Sequence, residues 1–493
     1  MNKYQKLAGN MVVLAIGQLS SKLLVYVMLK FYQNALGTAG YGQMGNIVYA
    51  CDLLITIVSL SMASGVLRFA LEKSNDGAAV FSTAINIVIV SSMVFLLFVP
   101  LIGLIPMLKG YQWLIYIYVV LAALKEVCSY YVRARVSVVL YSIDGIVTTV
   151  MTVLFNLLFM GVFHFGVTGY VFSIVMGNVS SLIFLNLTAK LYSIYNPLKA
   201  DSTIRASLLR FCIPLIPTMI MWWVISGSDS FMVTSFIGED ANGIYQFAYK
   251  FPNLIVLVLG IFMQAWRMSA ITERNSRTVS NFYSDIFSML QTLMFLAAGG
   301  IMLVLHPIIM PLFAGDGFDY AYFYVPILLG AAIFQSFDSF LSTIYEAAQK
   351  TTHSLISSVV GAVANIALNL ILIPLMGVTG AAIATMASYI VVFIYRIIDT
   401  KKILYMTVYW AKIIINITLL CVMAWSVMFL EKGAVQNIVN GVVFLIIAFL
   451  NFQSCVQAVK LILNKGKGKP APTAQSAPSP EARSNRPNTT PKR

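Results

Sequence analysis

The sequence predicts an all-α membrane protein with fourteen transmembrane helices, arranged as two six-helix lobes (parallel pseudo-repeats) plus a C-terminal helical hairpin. Three observations predict it. The chain is 59% hydrophobic and only 10% charged, with mean hydropathy +0.85, whereas a soluble domain carries roughly 25% charged residues. Its apolar segments are long and uninterrupted, which suits helices; a barrel would show short alternating segments. The tetrapeptide Gly-Val-Thr-Gly occurs at 166–169 and again at 377–380, each time between two long apolar segments.

A second echo supports the duplication. Leu36-Gly37-Thr38-Ala39-Gly40-Tyr41-Gly42-Gln43 resembles Ile237-Gly238-Glu239-Asp240-Ala241-Asn242-Gly243-Ile244-Tyr245-Gln246, and each follows the first long apolar segment of its half. A spanning helix needs about 20 apolar residues. Such segments start near residues 7, 44, 79, 113, 138, 168, 208, 244, 282, 322, 353, 379, 409 and 437. Six helices per unit is an even number, so the halves share one orientation and are related by an axis along the membrane normal. The expected organisation is an N-lobe at 1–200 (helices 1–6), a C-lobe at 201–405 (helices 7–12) and extra helices 13 and 14 at 406–463. A disordered basic cytoplasmic tail follows at 464–493, too rich in Pro, Ala, Ser and Lys/Arg to bury a core.

No cleavable signal is expected, because Lys3 and Lys6 precede an apolar stretch longer than a signal h-region. Positive charge collects in alternate loops: of 32 Lys and Arg, Lys22, Lys30, Lys109, Lys250 and Lys432 are read as lying within a span or outside. Both termini are therefore expected in the cytoplasm. The same inner-leaflet bias accounts for the net charge of +14, so no nucleic-acid partner is invoked. The five cysteines are scattered through apolar helices without ligand spacing, and neither a disulfide framework, a metal site nor a cofactor is expected. Outward loops are short, the longest from about His306 to Tyr320, which argues against an extracellular catalytic domain and against an enzyme. Two similar membrane halves point to a transporter, whose site between the repeats opens to either side as one rocks against the other. Pro214 and Pro217 in helix 7 and Pro252 in helix 8 break the backbone ladder inside the membrane.

Specific motifs sharpen this. Phe211-Cys212-Ile213-Pro214-Leu215-Ile216-Pro217, continuing to Trp222-Trp223, Ser228-Asp229 and Gly243-Ile244-Tyr245-Gln246-Phe247-Ala248-Tyr249-Lys250, resembles the start of the second half of bacterial polysaccharide (O-antigen/capsule-type) flippases. Asn365-Ile366-Ala367-Leu368-Asn369-Leu370-Ile371-Leu372-Ile373-Pro374, followed by Gly377-Val378-Thr379-Gly380, is similar to their connection between helices 11 and 12. These proteins belong to the multidrug/oligosaccharidyl-lipid/polysaccharide (MOP) exporter superfamily and have a MATE-like fold. The resemblance covers residues 1 to about 463. One departure is Ser230, which stands where many relatives carry Arg, so the role of that Arg is not carried over.

The resemblance implies flipping of polyprenyl-pyrophosphate-linked oligosaccharide repeat units from the cytoplasmic to the outer leaflet of a bacterial cytoplasmic membrane. It implies membrane lipids, a polysaccharide polymerase and other assembly proteins as partners. A sugar headgroup needs a wet polar passage because its hydroxyls cannot go unsatisfied in hydrocarbon, and a pyrophosphate favours cationic side chains. A peptidoglycan-precursor (lipid II) flippase and a cation-coupled multidrug antiporter share the fold and are the alternatives.

An ionisable residue at mid-bilayer costs about 2.5–3.5 kcal/mol on insertion scales and marks a functional site by default. Lys22 lies deep in helix 1, and Asp52 in helix 2 stands at a similar depth, so the two can pair. Lys250 and Asp229 form a comparable couple in the second half, both expected nearer the outer face. Lys22, Arg68, Lys250 and Arg267 are the candidate substrate-binding residues, the arginines at a cytoplasm-facing mouth. Asp52, Asp229, Asp338 and Glu346 are the candidates for ion pairing or for carrying a coupling ion; Asp338 and Glu346, eight residues apart, fall on roughly one face of helix 10.

Overall fold

The computed structural model describes residues 22, 24–72, 76–272, 279–348 and 350–466. All regular structure among them is helical, as it must be for lipid-facing backbone whose polar groups have no water to bond. The first half comprises α1 (Leu29–Val58), α2 (Met62–Leu71), α3 (Gly77–Leu96), α4 (Gln112–Tyr131), α5 (Val138–Asn156) and α6 (Gly166–Ala189). The second comprises α7 (Ser202–Cys212), α8 (Leu215–Phe236), α9 (Glu239–Ala248), α10 (Lys250–Thr272), α11 (Val279–Val304), α12 (Val325–Ala348), α13 (Thr351–Met376) and α14 (Val378–Thr400). A hairpin of α15 (Trp410–Phe429) and α16 (Ala434–Gly466) follows.

Eleven helices among the described residues are long and apolar enough to cross a bilayer, or twelve if the bent pair α1 and α2 is one span. Most of the first expected segment lies outside the described residues, as does the tail from residue 467. The eighth segment is divided between α9 and α10.

The internal echoes acquire a physical reason. Gly37 (φ 66°), a non-helical kink inside α1, and Gly238 (φ 133°), just before α9, turn the chain between the first two expected segments of each half. Gly166 (φ 57°) and Gly377 (φ 62°) do the same before α6 and α14. These backbone angles favour glycine because it lacks a Cβ. Gly42 and Gly243 answer a different demand, close approach. A Cβ on Gly42 would collide with the Glu239 carbonyl, and one on Gly243 with the Thr38 carbonyl. The contacts are reciprocal, as a two-fold relation between the halves requires.

Around these glycines the halves are stitched together. Thr38 donates to Asp240, Asn46 Nδ2 to Thr234 Oγ1 at 2.8 Å, Ser230 Oγ to Asn46 Oδ1 at 2.7 Å and Asn242 Nδ2 to the Gly42 carbonyl at 3.0 Å. One end of the interface, the glycine-turn end, is therefore closed.

Among the described residues one helix pair is sharply bent, and two further helix boundaries fall at or near prolines. The 48° bend between α1 and α2 passes through Leu60 (φ 50°) and Ser61 (φ 54°), both left-handed, and Ser91 Oγ on α3 donates to the Val58 carbonyl at the break (2.6 Å). Pro214 separates α7 from α8, and Pro217 and Pro252 fall in the first turns of α8 and α10, where a missing N–H costs least. The expected proline breaks thus resolve into new helix starts.

A cationic cavity between the two halves

Lys22, from the segment that leads into α1, and Lys250, at the start of α10, line one cavity of about 350 Å³ with Tyr26, Leu29, Asn253 and Leu257. Lys22 and Asp52 each stand 15 residues from Gly37, ~22 Å at about 1.5 Å per residue, and Lys250 is 12 residues from Gly238, ~18 Å. All three are thus near the middle of the bundle. The Tyr26 hydroxyl donates to the Lys250 carbonyl at 2.5 Å, fixing the first half against the second beside both ammonium groups. Lys22 and Asp52 are exposed and Lys250 half-buried. Asp52 lies in the field of Glu126, Lys22 and Lys250, and Lys250 in that of Lys22 and Asp52. None of the three is in an ion pair within 4 Å among the described residues.

The couples expected from the sequence are rearranged accordingly. Lys22 and Asp52 are electrostatic neighbours without a direct ion pair. Lys250 faces Lys22 across the halves, and Asp229 turns the other way, into the packing of α8 against α13 and α14. There its carboxylate accepts from Tyr245 (3.0 Å), Asn369 (2.5 Å) and Thr385. Ser228 donates to Asn365 (3.1 Å) and Asn369 to Asn365 Oδ1 (3.1 Å), extending the network. Linear spacing cannot show this, because helix rotation about its own axis decides which neighbour each side chain meets.

Asp338 and Glu346 share α12 but not an environment. Asp338 is 1% exposed and pairs at 2.9 Å with Arg396, itself 0% exposed; Glu346 is exposed. Arg396 also donates to Ser357 Oγ (2.9 Å) and to the Asp338 carbonyl (3.0 Å), and it lies beside the rings of Trp222 and Tyr345. Arg68 is on α2, exposed, 4.0 Å from Glu72 and over the Phe211 ring at 4.5 Å. Arg267 lies near the C-terminal end of α10, and its side chain is outside the described residues.

Sequence reasoning missed Arg396, counted with the loop cations although it lies four residues inside the end of α14. Its signal was available: an arginine within an apolar span needs a buried partner, and Asp338 was the candidate acid. It also missed Asp144 on α5, fully buried and accepting from Ser129 (2.8 Å) and Ser181 (2.5 Å), and Lys412, which binds the Ser288 and Thr292 hydroxyls and docks α15 on α11. Among the described residues no group of three His, Cys, Asp or Glu could hold a metal ion. What the cavity offers is two ammonium groups, each with three donors, from opposite halves, a setting for an anion that bridges them.

Comparison with known proteins bears on the family and the fold. The family model described as "Polysaccharide biosynthesis protein" matches residues 7–267. No curated protein matches in sequence. Among solved structures, the lipid II flippase MurJ in an inward closed conformation superposes with TM-score 0.68 at 16% identity, covering 90% of this chain and 100% of that one. An inward-facing multidrug resistance MATE family transporter of the MOP superfamily gives 0.63 at 15%, covering 79% and 98%. A MOP superfamily transporter from Pyrococcus furiosus gives 0.57 at 14%, covering 80% and 95%. The chain therefore belongs to the polysaccharide biosynthesis protein family and has the fold of the MOP superfamily transporters.

Proposed function

We propose that the protein is a flippase that moves polyprenyl-pyrophosphate-linked oligosaccharide repeat units from the cytoplasmic to the outer leaflet by alternating access between its two halves. The observation that carries this reading is the pair Lys22 and Lys250, one from each half, in a single cavity near mid-bundle. The pyrophosphate bridges the two ammonium groups, and the prenyl tail stays in the bilayer. The hydrogen-bonded glycine-turn end is the outer side, and separation of the halves there releases the headgroup. In this reading both termini are cytoplasmic, the membrane is the bacterial cytoplasmic membrane, and a polysaccharide polymerase receives the product. The lobes are residues 1–200 and 201–405, with 406–463 an added hairpin.

Arg68 and Arg267 receive the pyrophosphate at the cytoplasmic mouth. Asp229 is the coupling group: a single buried carboxylate ringed by Tyr245, Thr385, Asn365 and Asn369 suits a proton or a monovalent cation with oxygen ligands, and the Asn369 side-chain oxygen has no partner. Asp52 tunes the field at the lysines. Asp338 is held by Arg396, and Glu346, exposed on the same helix, is the second candidate for carrying the coupling ion.

The decisive test is the identity of the lipid-linked species that accumulates in the cytoplasmic leaflet when the protein is depleted. Polyprenyl-pyrophosphate oligosaccharide is expected. Accumulated peptidoglycan precursor would move the assignment to a lipid II flippase, the reading favoured by the full coverage of the MurJ structure. Transport in vesicles that persists after ion gradients and membrane potential are collapsed would remove the coupling role of Asp229.

A further inference from the structure

Beside the lysine cavity lies a second one, of about 220 Å³, room for roughly seven waters at ~30 Å³ each. Asn253 and Val256, one turn apart on α10, line both, so the two cavities meet on the same helix face. The walls come from both halves: Tyr49 from α1, and Asn253, Ala332, Gln335 and Tyr389 from α10, α12 and α14.

Its chemistry is uncommon for a space within a membrane bundle. Among the described residues, the Tyr49 and Tyr389 hydroxyls and the Gln335 and Asn253 amides make no hydrogen bond within the protein, although they line this space. None is an orphaned atom sealed in packing; all can reach a guest. Tyr389 is buried and Tyr49 and Gln335 are half-buried, while Asn253 is exposed; uncommitted polar groups so placed are costly unless something satisfies them. Two amides, each both donor and acceptor, and two phenols match a molecule whose hydroxyls also donate and accept. The aromatic rings offer flat apolar faces for C–H surfaces. A prenyl chain would leave the amides unsatisfied, and a bare phosphate would leave the rings without a partner.

We propose that this second cavity is a subsite for the first pyranose ring of the headgroup, a proposal that rests on the lysine cavity being the pyrophosphate site. The sugar bonded to the pyrophosphate enters the space next to Lys250, where Tyr49 and Tyr389 cover its faces and Gln335 and Asn253 bind its hydroxyls. Because Tyr49 belongs to the first half, the subsite is complete only while the halves are closed on each other, and it comes apart as they separate.

The test uses the full chain in lipid nanodiscs and two probes, polyprenyl pyrophosphate and the same lipid carrying one hexose; the readout is the ratio of their Kd values. The sugar-bearing probe is expected to bind at least about tenfold tighter. Gln335→Ala and, independently, Ala332→Phe, which fills the space, are expected to reduce that ratio to below about threefold. A wild-type ratio near one, or a ratio unchanged in both variants, with binding of both probes still lost in Lys22→Ala and Lys250→Ala, overturns the subsite and leaves the pyrophosphate site standing. Binding of both probes that does not depend on either lysine overturns the pyrophosphate site and the subsite with it.

Discussion

Between α12, α13 and α14, Arg396 is 0% exposed, pairs with Asp338 at 2.9 Å and donates to Ser357, Ser358 and the Asp338 carbonyl. In the lysine cavity, by contrast, Lys22 and Lys250 face open space, and no carboxylate stands within 4 Å of either among the described residues. Both regions carry ionised groups deep in an apolar bundle, and both bear the cost of removing charge from water. The difference teaches how to tell structure from function in such a place. A charge whose partners come from the fold holds helices together, whereas one held at the rim of a cavity is available for a ligand.

The contrast breaks most sharply at Arg396. Arg396→Met leaves Asp338 as an uncompensated buried charge, and breaking such a pair costs about 3–5 kcal/mol. The expected outcome is a large loss of folded protein, read as a lower melting temperature in detergent. Replacing both partners, Arg396→Met with Asp338→Leu, is expected to recover most of it, because a well-packed apolar pair replaces an ion pair at little net cost. Failure of the double variant to recover would assign Arg396 a role beyond packing.

The cavity lysines should behave oppositely. Lys22→Ala and Lys250→Ala are expected to leave the melting temperature nearly unchanged while reducing flipping of lipid-linked oligosaccharide in vesicles by about 10–150-fold, since a charged hydrogen bond is worth ~1.5–3 kcal/mol. Equal losses in stability and transport would make them structural cations like Arg396.

Asp52→Asn sharpens the comparison within the cavity. Removing a negative charge near two lysines raises the local positive potential, so tighter binding of inorganic pyrophosphate, by a few-fold, is expected in a competition assay. A drop in affinity would show instead that Asp52 holds a lysine in its binding position.

The smallest effect belongs to a carboxylate outside both regions. Asp201 caps α7, and the backbone N–H groups of Ile204 and Thr203 hold its carboxyl below the usual carboxylate range. A depressed folded-state pKa contributes stability above the unfolded value, ~3.9, and loses it as pH falls through the folded value. Asp201→Ala is therefore expected to lower the melting temperature slightly at neutral pH. That difference should vanish in acid.

Much of this architecture was legible in the chain, and the reasons are local. The positive-φ glycines at 37, 166, 238 and 377 were visible as repeated motifs because those backbone angles favour glycine. Lys22 and Lys250 stood out because an ionisable residue within an apolar span is costly and marks a functional site by default. Their meeting across the two halves was not visible, nor was the withdrawal of Asp229 to Tyr245, Asn369 and Thr385. Those pairings depend on the rotation of α8 and α10 about their axes and on the crossing set by Gly42 and Gly243.

By itself, then, the sequence determined that the chain is helical, lies in a bilayer, is internally duplicated and carries charge at depth, because hydropathy, glycine backbone freedom and ion solvation are properties of residues and short segments. Only the tertiary structure decided which charges are paired and which face a cavity, and that Arg396 is buried against Asp338. Those facts are relations between helices far apart in the chain, fixed by packing angles that a linear pattern does not contain.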